Sequence, residues 1–277
     1  MFKLKSKLIV AVMLVVGVAA FISCEKENAV SLESNKDEIT SLKMAGIEHN
    51  KGLDYVLQKL KASKKKGQLN LKSSVDIFSV VKGSTKEFLK INSELINAEN
   101  SSTAIEYAEY SFDWVKNSHL TKSLKNSTSD LWDPSVEKSL TLKQKELLVI
   151  LNSAISNIEL DLNATLEVFE NVRNRANNEC SEEERIAILA AIEIGTNSMT
   201  YWSEHIGEWA TVFSTDLKST KGWFNWKKVG GADVKGAVTG GVTGAITGAG
   251  AGIGALGGGV GASAGAAALE LWNYWVN

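Results

Sequence analysis

The sequence predicts an all-α protein: a helical bundle with a long antiparallel helical hairpin, followed by a glycine-zipper helical hairpin at the carboxyl end. Three observations lead to this fold class. The chain of 277 residues has a single proline, Pro134, so long stretches are free to be helical. Apolar residues recur every three or four positions over most of the chain. No segment shows the alternation of apolar and polar residues that is typical of a strand.

The helical period begins near Ala45, and we expect the bundle to occupy residues 45–220. Residues 24–44 are polar and lack a clear period, so we interpret them as a flexible tether. The first apolar stripe of the bundle has the helical spacing i, i+3, i+4, i+7 and consists of Leu53, Val56, Leu57 and Leu60.

Two long helices form the predicted hairpin of the bundle. The first starts at a capping box formed by Thr141 and Gln144, and its apolar stripe continues to Val172. The second starts at Ser181, where three glutamates at 182–184 favour a helix N-terminus over a catalytic carboxylate cluster. A short turn between two such helices predicts antiparallel packing. The apolar positions of the second helix are Ile188, Ile192, Gly195, Met199, Trp202, Ile206, Trp209 and Phe213.

The first 23 residues have the layout of a secretory signal peptide. A short basic start precedes an uncharged apolar run, Leu8–Ile22, which is shorter than the about 20 residues that a membrane span needs. The run ends in Phe21-Ile22-Ser23-Cys24, which resembles the lipobox of bacterial lipoproteins. The resemblance implies signal cleavage at Ser23 and lipidation of Cys24, so that membrane lipid is held through the acylated cysteine. The alternative is a retained N-terminal anchor helix.

The resemblance also implies a location. Acidic residues follow Cys24 directly, and similar acids direct some Bacteroidota lipoproteins to the outer membrane. We therefore expect a lipid-anchored protein of the cell envelope, in the outer membrane, with the periplasmic and surface faces both open.

Residues 221–277 form the predicted glycine-zipper segment, which we expect to interact with a membrane. More than half of the chain's 23 glycines lie between Gly236 and Gly265, in a stretch without charge. Glycines four residues apart share one face of a helix and let another backbone come close. The zipper positions are Gly236, Gly240, Gly244, Gly248, Gly252, Gly257, Gly261 and Gly265.

Energetics predict that this segment is a packed hairpin. Each glycine in a water-exposed helix costs about 0.8–1 kcal/mol relative to alanine, so the segment needs a packed partner or a lipid environment. We expect the hairpin to break near Gly250–Gly259, with the two glycine faces in contact. The flanking aromatic residues then form a possible membrane interface, or else they dock on the bundle; a disordered tail is the third alternative. These aromatic residues are Trp223, Phe224, Trp226, Trp272, Tyr274 and Trp275.

A search for chemistry predicts no catalytic residue, no metal site and no cofactor. The three histidines His49, His119 and His205 are far apart and have no metal-ligand spacing. Glycines 250, 252 and 254 follow no strand, so a dinucleotide site is not supported. Cys180 is interpreted as a turn residue. The formal net charge of −2 argues against a nucleic-acid partner.

Three short motifs together resemble a group of Bacteroidota secreted or lipid-anchored helical proteins with a glycine-zipper segment. The motifs are His49-Asn50-x-Gly52-Leu53-Asp54-Tyr55, Tyr201-Trp202-Ser203 and Asp233-x-x-Gly236. The resemblance covers most of the chain after residue 23 but implies no activity. The C-terminal repeat is also similar to the GxxxG helices of class II bacteriocins.

The sequence contains no recognisable catalytic pattern, which disfavours an enzyme with a helical active site. Two main functional hypotheses remain. The first is a non-enzymatic envelope lipoprotein whose glycine zipper serves membrane association or helix–helix assembly, including a possible homo-oligomer or contact with another envelope protein. The second is a membrane-permeabilising, bacteriocin-like effector.

Overall fold

The computed structural model describes residues 37–70, 73–97, 99–120, 134–157, 159–213, 226–247 and 249–275. Within these ranges every regular element is a helix and no strand occurs, so the predicted all-α class is confirmed. Residues Ser41–Asn277 form one compact unit. Of the other unit, Met1–Thr40, the structure describes residues 37–40, which are helical.

The described helices are numbered in chain order. Helix α1 covers residues 37–65. The others are α2 (Ser74–Ile91), α3 (Ser101–Leu120), α4 (Pro134–Ser139), α5 (Leu142–Ser156), α6 (Leu162–Glu179), α7 (Glu182–Phe213), α8 (Trp226–Thr247) and α9 (Ala251–Trp275).

Helix α1 reaches further towards the N-terminus than the period of apolar residues predicts. Residues 37–44, expected to belong to the flexible tether 24–44, are helical. The physical reason is packing: Leu42 is buried, and Ser41 lies against Gly252 of α9. The apolar stripe at Leu53, Val56, Leu57 and Leu60 is buried as expected.

The first helix of the predicted long hairpin is divided into two helices in the structure. Helix α5 ends at Ser156, and α6 begins at Leu162. Two short polar side chains interrupt the helix by binding nearby backbone N–H groups: Asn157 accepts from Glu159, and Asp161 accepts from Ala164 as the N-cap of α6. The prediction of one continuous helix was wrong because the apolar period continues across this break.

The predicted helix starts are present. Thr141 and Gln144 form a capping box at α5, and Ser181 and Glu184 form the same reciprocal pair of hydrogen bonds at the start of α7. Helices α6 and α7 pack against each other, with Cys180 as the C-cap of α6.

Two hydrophobic clusters stabilise the unit. One combines α1, α2 and α3 with the second halves of α7 and α9 and with Val229 and Ala232 of α8. The other combines α4, α5 and α6 with the first half of α7 and with Val234 and Val238 of α8. Helices α7 and α8 contribute to both clusters, and they therefore hold the two halves of the bundle together.

Helices α8 and α9 form a tight hairpin. Its turn includes residues 249 and 250, where the N–H of Gly250 donates to the carbonyl of Gly244 over 3.1 Å. Gly250 has a φ of 93°, which an L-residue rarely adopts. The turn falls at the start of the interval predicted from the sequence, and α9 continues as helix through the glycines that follow.

Candidate functional site

The glycines of α8 lie against backbone of α9. A Cβ atom added at Gly244 would come within 2.6 Å of the carbonyl oxygen of Gly250. One added at Gly240 would overlap the carbonyl oxygen of Gly254, and one added at Gly236 would overlap that of Gly258. The two helices are therefore so close that no side chain fits between them.

The second row of predicted zipper glycines has a different neighbour from the expected one. Gly257 and Gly261 lie against backbone atoms of Ala104 and Ala108 in α3, and Gly265 lies against Phe112. The pairing of this row with α8 was therefore wrong. Sequence spacing identifies a face of small residues, but it does not say which helix covers that face.

Helix α9 is closely surrounded on its remaining sides as well. Gly252 lies against Ser41 of α1, and a Cβ at Gly259 would be 2.9 Å from Ile194 of α7. All residues from 251 to 269 are buried. The many glycines and alanines of α9 thus have a packing reason, because helices α1, α3, α7 and α8 all lie close to its glycine positions.

Other predicted sites lie partly or wholly outside the described residues. These are the cleavage site Ser23, the lipidation site Cys24, the zipper position Gly248 and the aromatic residues Trp223 and Phe224. Trp226 begins α8, and Trp272, Tyr274 and Trp275 belong to the last turns of α9, but their side chains are not described.

A buried polar network crosses the hairpin, and we define it as His49, Ser198, Trp202, Asp233 and Ser263. Its centre is the Asp233 carboxylate of α8, whose Oδ2 accepts hydrogen bonds from the hydroxyls of Ser198 and, over 3.1 Å, Ser263. The indole N–H of Trp202 donates to the Ser263 hydroxyl over 3.2 Å. All five side chains are fully buried.

His49 brings α1 into this network. Its Nε2 atom is 3.8 Å from Asp233 Oδ2, too far for a hydrogen bond but close enough for strong electrostatic coupling. Burial lowers the pKa of His49 to about 4, an effect that a hydrogen bond with Asn50 partly opposes. Burial also raises the pKa of Asp233 well above its usual value, although the Ser198 and Ser263 hydroxyls act in the opposite direction.

A second polar contact also joins α1 to α7. The Tyr201 hydroxyl donates to Asp54 Oδ1 over 2.9 Å and accepts from the Trp209 indole over 3.0 Å. Burial, as the main cause, raises the pKa of Tyr201. The Tyr201 ring stacks on His205 at a centroid distance of 4.4 Å.

The polar network combines serine, histidine and aspartate, but not in an arrangement for nucleophilic catalysis. In a catalytic triad the histidine lies between serine and aspartate, whereas here Asp233 binds the serines directly. The relevant side chains are fully buried, so a substrate has no access. Over the described residues, no group of three His, Cys, Asp or Glu side chains could hold a metal ion.

The three short motifs of the sequence resemblance meet in this region. His49 approaches Asp233, Asp54 binds Tyr201, and Trp202 binds Ser263 next to Asp233. In the sequence, His49 and Asp233 belong to two separate motifs, and nothing in either motif predicts that the two side chains approach each other. The available signal was an acidic residue at the start of an otherwise uncharged glycine repeat.

One described helix is long and apolar enough, by length and composition, to cross a membrane. Its candidate span is Ala251–Glu270, with a mean hydropathy of 1.3, and the whole of the apolar window is buried. Core helices of proteins without a membrane span have the same properties, so the feature gives weak support to membrane association.

Comparison with known proteins gives no relative: no protein family, curated protein or solved structure matches this chain. The functional argument therefore depends on the hairpin and the polar network.

Proposed function

We propose that the chain is a non-enzymatic, lipid-anchored protein of the cell envelope whose α8–α9 hairpin associates with the membrane when the bundle opens. The observation that carries the proposal is α9, an apolar segment of spanning length that is completely covered by other helices. In the closed bundle these helices keep the segment away from lipid.

The contact between α8 and α9 supports this role. A core helix loses its packing when it leaves a fold, but close contacts between glycine-rich helix faces also stabilise helix pairs in lipid. The backbones at Gly240 and Gly254 touch directly, without a contribution from other helices. The hairpin could therefore move as a preassembled unit, and lipid would replace α3 on the face that contains Gly257 and Gly261.

The charge distribution limits which part of the hairpin enters the membrane. Helix α9 has no charged residue before Glu270, whereas α8 has Asp233 and Lys235 in its first half. The uncharged part of α8, residues 236–247, is too short to cross a hydrocarbon core of about 30 Å. We therefore expect α9 to enter the membrane and the first half of α8 to remain at its surface.

A vesicle experiment tests the membrane role without the acyl anchor. The mature chain 24–277 with Cys24→Ser is floated with phosphatidylethanolamine/phosphatidylglycerol vesicles. Leu60→Ala loosens the cluster that contains the second half of α9, and Leu147→Ala loosens the cluster that does not contain α9. The two leucines are matched, since both are fully buried and each truncation costs about 2–5 kcal/mol.

We expect several-fold more vesicle-bound protein with Leu60→Ala than with Leu147→Ala. Equal binding of the two variants, or binding of neither, would contradict the proposal. Release of an encapsulated dye separates the two functional hypotheses. Binding without release supports an envelope protein, whereas release at low protein-to-lipid ratios supports the membrane-permeabilising effector.

A further inference from the structure

We propose that His49 and Asp233 hold one shared proton in the closed bundle. Above neutral pH, opening of the bundle releases this proton, so a rising pH favours release of the hairpin. The two side chains join α1 to α8 at a distance of 3.8 Å, and both are fully buried. The membrane binding that follows from opening rests on the proposed function, whereas the number of protons held by His49 and Asp233 does not.

The burial of both groups explains why the pair holds one proton. With one proton the pair is electrically neutral overall, whether it consists of two neutral groups or of an imidazolium and a carboxylate. With no proton a buried carboxylate lacks a counter-charge, and with two protons a buried imidazolium lacks one. Both of these states are strongly unfavourable away from water. Such a pair titrates as a unit, and its pKa values belong to both groups together.

The atoms that remain without partners agree with a site adapted to a neutral pair. Within the described structure, His49 Nε2 and Asp233 Oδ1 have no hydrogen-bond partner. Two hydroxyls donate to Asp233 Oδ2, and among the residues whose side chains are described no cation other than the coupled His49 contacts the carboxylate. Burial moves the pKa of His49 down and that of Asp233 up, which favours the state with one proton over a wide pH range.

The charged residues on the neighbouring helices make their contacts elsewhere. On α1, Glu48 binds Lys51 over 2.7 Å, and on α7, Glu193 pairs with Arg173 of α6. On α8, the Lys235 amino group lies 5.8 Å from the ring centre of Trp114 in α3. From α9 the pair is approached by Ser263, which does not titrate.

The opened state binds protons differently. Exposed to water, the two groups return to ordinary pKa values, 6.5 for His49 and 3.8 for Asp233. Between these values the opened state also carries one proton, on His49, so opening does not depend on pH. Above pH 6.5 the opened state carries none while the closed state still carries one. Opening then releases a proton, and its equilibrium constant rises about tenfold per pH unit.

Two single substitutions separate the contributions of His49 and Asp233 to the pH dependence of opening. In Asp233→Asn, the closed state holds His49 neutral, so opening becomes more favourable as the pH falls from 6.5 towards 4 and is constant above 6.5. In His49→Gln, the closed state holds Asp233 protonated, so opening becomes more favourable as the pH rises, already from about 4. Ser263→Ala is the matched control, since it removes a hydroxyl from the network and keeps both titrating groups.

The measurement is urea unfolding of the mature chain with Cys24→Ser and of these variants, followed by helical circular dichroism from pH 5 to 8.5. Surface ion pairs contribute little in this window, because glutamates such as Glu179 titrate below 4.5 and lysines such as Lys51 above 10.5. The other histidines are common to all variants. Binding to the same vesicles is measured at pH 6 and pH 8.5.

For the parent and for Ser263→Ala we expect a flat profile below pH 6.5 and a tenfold change per pH unit above it. Asp233→Asn should instead lose stability as the pH falls below 6.5 and be flat above it, whereas His49→Gln should lose stability with rising pH over the whole window. Parallel profiles for the parent, Asp233→Asn and His49→Gln would overturn the shared proton, whatever the vesicles do. If one variant does not fold, the profiles of the other variant and of the parent still test the shared proton. The expected profiles without vesicle binding at either pH would retain the shared proton and reject the membrane role.

Discussion

The contact between α8 and α9 gives the most direct test of the packing. Gly240→Ala places a methyl group that would overlap the carbonyl oxygen of Gly254 and lie 2.6 Å from its carbonyl carbon. A buried helix backbone cannot yield like the end of a side chain, so the two helices must separate. Overpacking of this kind costs about 3 kcal/mol, and the better helix propensity of alanine returns about 1 kcal/mol. We expect the free energy of unfolding to fall by about 2 kcal/mol.

Two other glycines supply matched controls. Gly231 is also in α8, but the nearest atom to an added Cβ is Ile155 Cγ2 at 3.6 Å, an ordinary contact. Gly83 in α2 has no atom within 4 Å of an added Cβ. Alanine at either position should stabilise the fold by about 0.5–1 kcal/mol through helix propensity.

Urea unfolding followed by circular dichroism at 222 nm measures these differences. Gly240→Ala should unfold at a lower urea concentration than the parent, and both controls should unfold at a slightly higher one. If Gly240→Ala were as stable as Gly231→Ala, the close approach of α8 and α9 would be wrong. Gly254→Ala enlarges the same contact from the other side, so the double variant should lose less than the sum of the two single losses.

Four further predictions concern other parts of the chain. Cys24→Ser should abolish incorporation of labelled fatty acid; continued labelling would exclude this cysteine as the lipidation site. Tyr201→Phe leaves the Trp209 N–H without its acceptor and should cost about 1–3 kcal/mol by urea unfolding, so a loss below about 0.5 kcal/mol would contradict the hydrogen bond. Gly250→Ala places alanine at a φ of 93° with ample space around it and should lower stability by about 1–2 kcal/mol through backbone strain, and an unchanged urea midpoint would argue against this turn. Ion pairs lower the pKa of Glu179 to about 2, so stability from this group is present above pH 4.5 and is lost as the pH falls towards 2; Glu179→Gln should show a smaller loss of urea midpoint over that range than the parent.

Local signals in the sequence predicted the presence of individual helices better than the residues at which they begin and end. The capping boxes at Thr141 and Ser181 were identified correctly, because each depends on residues three positions apart. The break between α5 and α6 was missed, although Asn157 and Asp161 are typical capping residues. The apolar stripe there continues in phase, and periodicity cannot distinguish one helix from two consecutive ones.

The polar network could be predicted only in part. His49, Tyr201, Trp202 and Asp233 all occur in motifs noted in the sequence, yet their proximity could not be inferred from that. Contacts such as those of His49 with Asp233 and of Tyr201 with Asp54 join residues far apart in the chain. Spacing along the chain carries no information about such pairs.

Amino-acid composition and short-range spacing were sufficient for the helical class and for the helix caps, because hydrogen bonding and propensity act within a few residues. The neighbours of each glycine row, the burial of α9 and the approach of an imidazole to a carboxyl group depend on how helices distant in the chain pack together. Those features follow from close packing in three dimensions, where each backbone approach requires a small residue at one particular position.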